Sequence, residues 1–92
     1  MKTHIISYDL RIPETSEDYT KIIGKIKSLG GWATPLKSVW FVTTTQSTSE
    51  IRDELKFQTD WNDGLIVIEI TNADWASKGI DSKVTEWMKN NL

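Results

Sequence analysis

The chain has 92 residues, 38% of them hydrophobic and 26% charged, with a formal net charge of -2 from 11 Lys+Arg against 13 Asp+Glu. The length fits one domain, and the charge balance is not that of a dedicated nucleic-acid binder, which carries a basic excess or a dense basic stripe. The absence of cysteine and the single histidine exclude disulfides, thiol catalysis, Cys-based zinc sites and a multi-histidine metal centre within one chain.

Thr3–Leu10 reads as a strand, with Ile5, Ile6, Tyr8 and Leu10 supplying β-formers on both faces. Arg11-Ile12-Pro13 ends it. Thr15 followed by Asp18 fits a helix-start cap, and Tyr19, Ile22, Ile23, Ile26 and Leu29 then recur at helical spacing. Gly30-Gly31 is expected to stop that helix in left-handed backbone angles. Trp32–Leu36 is a short strand that Pro35 confines to a sheet edge, because proline cannot donate to a ladder. Ser38–Thr45 is the strongest strand. Ser47 and Glu50 form a capping-box pattern opening a helix with Ile51 and Leu55 inward, which fades near Phe57. Asn62-Asp63-Gly64 signals a turn, Leu65–Ile70 a fourth strand, and Ile80, Val84, Trp87 and Met88 a short amphipathic C-terminal helix.

The order β-α-β-β-α-β, then α, is the split βαβ pattern of an α/β (α+β) ferredoxin-like domain over residues 1–92. A four-stranded antiparallel sheet is expected, with two right-handed crossover helices on one face, the first and third strands central and the second at an edge. Both sheet faces look apolar. Ile66, Ile68 and Ile70 share one face and Leu65, Val67 and Glu69 the other, while Val39 and Phe41 oppose Trp40 and Val42. The side that the crossover helices leave open, expected to carry Leu65, Val67 and Trp40, needs a cover. The candidates are the C-terminal helix and a second copy of the chain. A homodimer, with the C-terminal helix contributing to the cover, is the favoured expectation, since symmetric pairs are the commonest assembly and a domain this small buries only about 60–65% of its unfolded surface. No segment approaches the ~20 apolar residues of a membrane span. His4 and Asp9 interrupt what would be a signal-peptide core, so a cytoplasmic location is expected.

The run Ile6-Ser7-Tyr8-Asp9-Leu10, the Gly30-Gly31 stop and Lys37-Ser38-Val39-Trp40 resemble the CRISPR-associated Cas-two adaptation proteins. Tyr8-Asp9-Leu10, Lys27-Ser28-Leu29-Gly30, Ser38-Val39-Trp40, Glu50-Ile51-Arg52-Asp53 and Asp74-Trp75-Ala76 resemble, more closely, the small proteins called the SinR family. The resemblance implies a ferredoxin-like fold and a dimer, and carries over no activity from the closer group. A transcription-regulator role, which that family name suggests, finds no helix-turn-helix here.

Asp9 is the one candidate catalytic and metal residue. In Cas-two-like nucleases an Asp at the end of the first strand faces its symmetry mate and holds a divalent cation. A Mg²⁺ ion bound this way keeps several waters and activates one against a phosphodiester. The plainer reading of Asp9, a strand-end residue bonding loop amides or Arg11, stands ahead of it. The basic run that follows the first strand in Cas-two proteins is reduced here to Arg11 before Ile12-Pro13-Glu14. Arg11, Ser38, Trp40 and Trp75 are the binding candidates. Ser38 and Trp40 lie two apart and share a face, where Trp40 would stack on a base and Ser38 bond a phosphate or ribose. A buried anchor is the stronger expectation for Trp40, and a loop pin for Trp75. His4 and Glu69 are expected as neighbours across the first and fourth strands, with a structural role. Lys21, Lys25, Arg52 and Lys56 form a modest basic helix exterior, with Glu17 placed to pair with Lys21. These readings lead to a dimeric, non-catalytic module binding a nucleotide, nucleic acid or protein; the alternative is a Mg²⁺-dependent endonuclease or phosphodiesterase built on paired Asp9.

Overall fold

A computed structural model describes residues 1–10 and 16–92, with the backbone alone at 16 and 17. The elements are β1 (Lys2–Asp9), α1 (Ser16–Ser28), β2 (Gly31–Leu36), β3 (Val39–Thr44), α2 (Thr48–Lys56), β4 (Gly64–Glu69) and α3 (Ser82–Asn91). Each agrees with the periodicity of its segment to within two residues, except that α3 runs three residues past Met88. The strand terminator Arg11-Ile12-Pro13, the Thr15 cap and Arg11 as a binding candidate lie outside the described residues. So does the side chain of Glu17, the expected partner of Lys21.

The four strands form one antiparallel sheet in the order β2-β3-β1-β4. β1 and β3 are therefore central. Pro35 lies on the edge strand β2, where a missing N–H costs little, and the β2–β3 pairing shifts register between Ala33 and Leu36.

Ile6 lies opposite both Trp40 and Val67, His4 opposite Val42 and Glu69, and Tyr8 opposite Leu65. Directly opposed residues share a face. This face meets Ile22 and Ile26 of α1 and Ile51 and Leu55 of α2 to form the core, with Leu65 and Val67 packed against it. The expectation that Leu65, Val67 and Trp40 lie on the uncovered side is thus corrected: they lie under the helices. Alternation groups residues by face but does not say which face the helices take.

The second face carries Ile5, Ser7, Val39, Phe41, Ile66 and Ile68. α3 covers part of it. Trp87 stacks on Phe41 with centroids 6.2 Å apart and planes 9° from parallel, the Thr3 hydroxyl donates to the Asn91 carbonyl, and Met88 and Ala33 are buried. The β4 side stays open, with Ile66 55% and Ile68 48% exposed.

Local signals hold at most of the described ends. The capping box is formed, with Ser47 Oγ accepting from Glu50 N–H and Glu50 Oε1 from Ser47 N–H. Asp81 caps α3 through Lys83 N–H, so Ile80 precedes the helix. Gly30-Gly31 differs from expectation. Neither has a positive φ; among the described glycines only Gly79 does. Gly30 is required instead by crowding, since a Cβ there would collide with the Thr43 carbonyl. No helix among the described residues is long and apolar enough to cross a membrane.

Candidate functional site

The β2–β3 hairpin closes with Leu36 paired to Val39, leaving Lys37 and Ser38 as a two-residue turn. Ser38 has φ 60, a left-handed conformation unfavourable for a residue with a Cβ. The turn is tied down from both sides. Thr34 Oγ1 lies 3.0 Å from the Leu36 carbonyl and 2.9 Å from that of Val39. The Tyr8 N–H donates to the Ser38 carbonyl across 3.4 Å. The turn is thereby held against the end of β1.

α1 supplies the other wall. Tyr19 lies beside Tyr8 with ring centroids 6.2 Å apart and planes tilted by 47°. Together Tyr8, Tyr19, Ile23, Lys37, Ser38 and Trp40 bound a cleft of about 390 Å³, within the size range of small-ligand sites. Its chemistry is mixed in a useful way. Two phenol rings tilted to one another and an isoleucine offer an apolar surface, while Lys37, exposed, and Ser38, half-buried, bring an ammonium and a hydroxyl to the lining. Such a cleft suits a planar ring carrying an anionic group.

Ser38 and Trp40 do line one cleft, but with different access. Trp40 is 6% exposed. Its ring is flanked by Trp32 at 5.4 Å, and the Lys27 ammonium sits 5.9 Å from it and 4.6 Å from Trp32. Burial of this kind fits the anchor role and leaves Tyr19, half-buried, as the ring better placed for stacking. Trp75 is half-buried in its loop and does not line the cleft.

Asp9 ends β1 opposite Gly64, exposed, with Ser7 on the same face. It brings one carboxylate to that corner. Among the described residues no three of His, Cys, Asp and Glu gather into a metal-binding group. A hard cation would need ligands from elsewhere at this position.

His4 lies opposite Glu69 as expected. It is fully buried, and its Nε2 is 3.1 Å from the Gln46 carbonyl. A carbonyl only accepts, so this contact assigns the proton to Nε2; among the described residues Nδ1 has no partner. The Glu69 carboxylate instead lies 3.9 Å from the Lys2 ammonium. His4 is a core residue tying β1 to the chain entering α2. On the helix exterior, Lys25 is 3.8 Å from Glu54 and Arg52 is 2.9 Å from Asp53. The four-cation surface is therefore partly neutralised.

Tyr8, Tyr19 and Lys37 carry no site signal of their own in the sequence. Tyr19 fits the apolar stripe of α1, and Lys37 is an ordinary turn residue. The available signal was topological: a hairpin between Pro35 and Trp40 sets its tip beside the end of the first strand. No protein-family model matches the chain.

Proposed function

We propose that this chain is a dimeric, non-catalytic binding module of the ferredoxin-like type, cytoplasmic, holding a nucleotide or the end of a nucleic acid in the cleft between Tyr8, Tyr19 and the Lys37-Ser38 turn. The fold part of this reading is supported by the β-α-β-β-α-β order with β1 and β3 central, and by the resemblance to the SinR and Cas-two families. The observation that carries the function is the cleft itself. It combines aromatic rings with a lysine and a serine in one lining, the pairing by which proteins hold a base through stacking and its phosphate through charge. The overall charge of -2 suits a small anion at one local site better than a long phosphate track.

The test is direct. Denatured, freshly purified protein is examined by absorbance and mass spectrometry for a released nucleotide, and apo protein is titrated with the four ribonucleoside monophosphates while its fluorescence is followed. Saturable binding, weakened roughly tenfold in Lys37→Ala, is expected. No binding at millimolar nucleotide would end this reading. Cleavage of RNA or DNA that requires Mg²⁺ or Mn²⁺ and disappears in Asp9→Ala, with the assembly intact, would transfer the assignment to a nuclease built on Asp9.

A further inference from the structure

The two edges of the sheet are built differently. The β2 edge is guarded by Pro35 and by a register shift between Ala33 and Leu36, both devices that prevent another strand from adding. The β4 edge has neither. Gly64-Leu65-Ile66-Val67-Ile68-Glu69 contains no proline, no lysine and, among the described residues, no bulge, and no described strand pairs with its outer side. Among the described residues seven large hydrophobic ones are exposed, and four of them, Phe57, Trp61, Ile66 and Ile68, lie between the end of α2 and the end of β4. Trp61 is 97% exposed. Apolar surface gathered along an open strand edge marks an interaction site.

We infer that β4 pairs with β4 of a second copy of this chain, antiparallel about a two-fold axis at Val67, joining two four-stranded sheets into one of eight strands. This rests on the dimer reading above and specifies its interface.

The backbone sets the register. The Ile70 N–H donates to the Thr3 carbonyl at 2.8 Å, so Ile70 bonds inward, toward β1. Bonding direction alternates along an antiparallel strand. Ile66 and Ile68 therefore also bond inward, and Leu65, Val67 and Glu69 present their N–H and C=O groups to the open edge. Only another strand matches that row. A two-fold axis at Val67 sets Val67 against its own copy, and Leu65 and Glu69 against Glu69 and Leu65 of the second copy. All three outward residues then pair within the strand. A shift of two residues loses one of these pairs, and one such shift sets Glu69 against Asp63 of the second copy, where like charges repel.

Side chains agree with that register. Ile66 falls opposite Ile68 of the second copy on the half-open face, so the exposed isoleucines cover one another. Glu69 of the second copy falls opposite Leu65 on the helix-covered face. There Arg52 of α2 borders the cleft beside β4 with Leu65, Ile66 and Val67; its Nε and Nη2 donate to Asp53 Oδ1, and the other N–H groups of its guanidinium suit the arriving carboxylate. Phe57 and Trp61 border the same edge at its Leu65 end, with Arg52 and Lys56. A foreign peptide would fit the backbone row but has no reason to carry this self-matching order. In the inferred dimer the two Asp9 residues lie roughly 25 Å apart, given strand spacing and rise, so no single metal ion is shared between them.

Because the chain has no cysteine, single substitutions report on the pairing cleanly. Light scattering of the unaltered protein at micromolar concentration is expected to give a dimer. Val67→Cys should form an interchain disulfide under mild oxidation, since opposed strand residues lie within disulfide reach. Ile66→Cys and Ile68→Cys should each link poorly alone and readily when mixed. Arg52→Glu should weaken the dimer about tenfold, and Arg52→Glu with Glu69→Arg should restore it. A monomer in light scattering would overturn both the dimer reading and this interface. A dimer in which the Val67→Cys variant does not link would overturn the interface alone. Strong self-linking of Ile66→Cys would overturn the register.

Discussion

Phe41 on β3 and Trp87 on α3 are stacked with their rings offset, planes 9° from parallel and centroids 6.2 Å apart. This contact fastens the C-terminal helix to the sheet face opposite the crossover helices. It makes α3 part of the core and leaves the β4 side of that face open. Trp87→Ala is expected to destabilise the protein by about 2–4 kcal/mol, from lost burial and stacking. In urea unfolding, a double-mutant cycle with Phe41→Ala should return a coupling of about 0.5–1.5 kcal/mol. A coupling near zero would mean that the rings merely coexist.

Gly30 and Gly24 should respond to alanine in opposite directions. A Cβ at Gly30 meets the Thr43 carbonyl, a backbone group that cannot swing away, whereas one at Gly24 meets nothing within 4 Å. Gly30→Ala is expected to cost about 1–3 kcal/mol as the β2 entry shifts. Gly24→Ala, in the middle of α1, should add about 0.5–1 kcal/mol. Thermal melts of the two variants, taken side by side, check the contrast.

The start of α2 rests on reciprocal bonds between Ser47 and Glu50. Ser47→Ala should lower stability by about 1 kcal/mol. Glu50→Ala should lower it by a smaller amount, through the unbonded Ser47 N–H and the lost carboxylate at the helix N-terminus. Because Ile51 and Leu55 of the same helix are fully buried, the loss should appear in global unfolding rather than as fraying alone. Denaturant midpoints, with unchanged slopes, would report it.

Ser38 offers a way to separate stability from binding. Its φ of 60 is relieved by glycine, so Ser38→Gly should stabilise the fold by roughly 1 kcal/mol. The same change removes the hydroxyl from the cleft, and nucleotide affinity should fall by a few fold. A melting temperature that rises while the fluorescence titration weakens is the expected pair of results. Unchanged affinity would remove Ser38 from the site.

Much of the fold is legible along the chain because the signals are local. The helix stripe through Ile22 and Ile26, the Ser47–Glu50 box and Pro35 on an edge strand each depend on residues a few positions apart, and each reappears in the structure. The readings that changed depend on distant residues. Gly30 is glycine because of Thr43, thirteen positions later. The cleft joins Tyr8 of β1, Tyr19 of α1 and Ser38 of the hairpin turn, and no spacing in the sequence marks them as a set.

The sequence by itself determined the order and kind of the elements, because hydrophobic period and capping act within a turn or a strand. Only the tertiary structure decided which face of the sheet the crossover helices cover, that α3 closes part of the other, and that Ile66 and Ile68 stay exposed beside the β4 edge. Alternation is symmetric between the two faces of a strand. The choice between them is made by chain crossing and packing, and those appear only when remote segments meet.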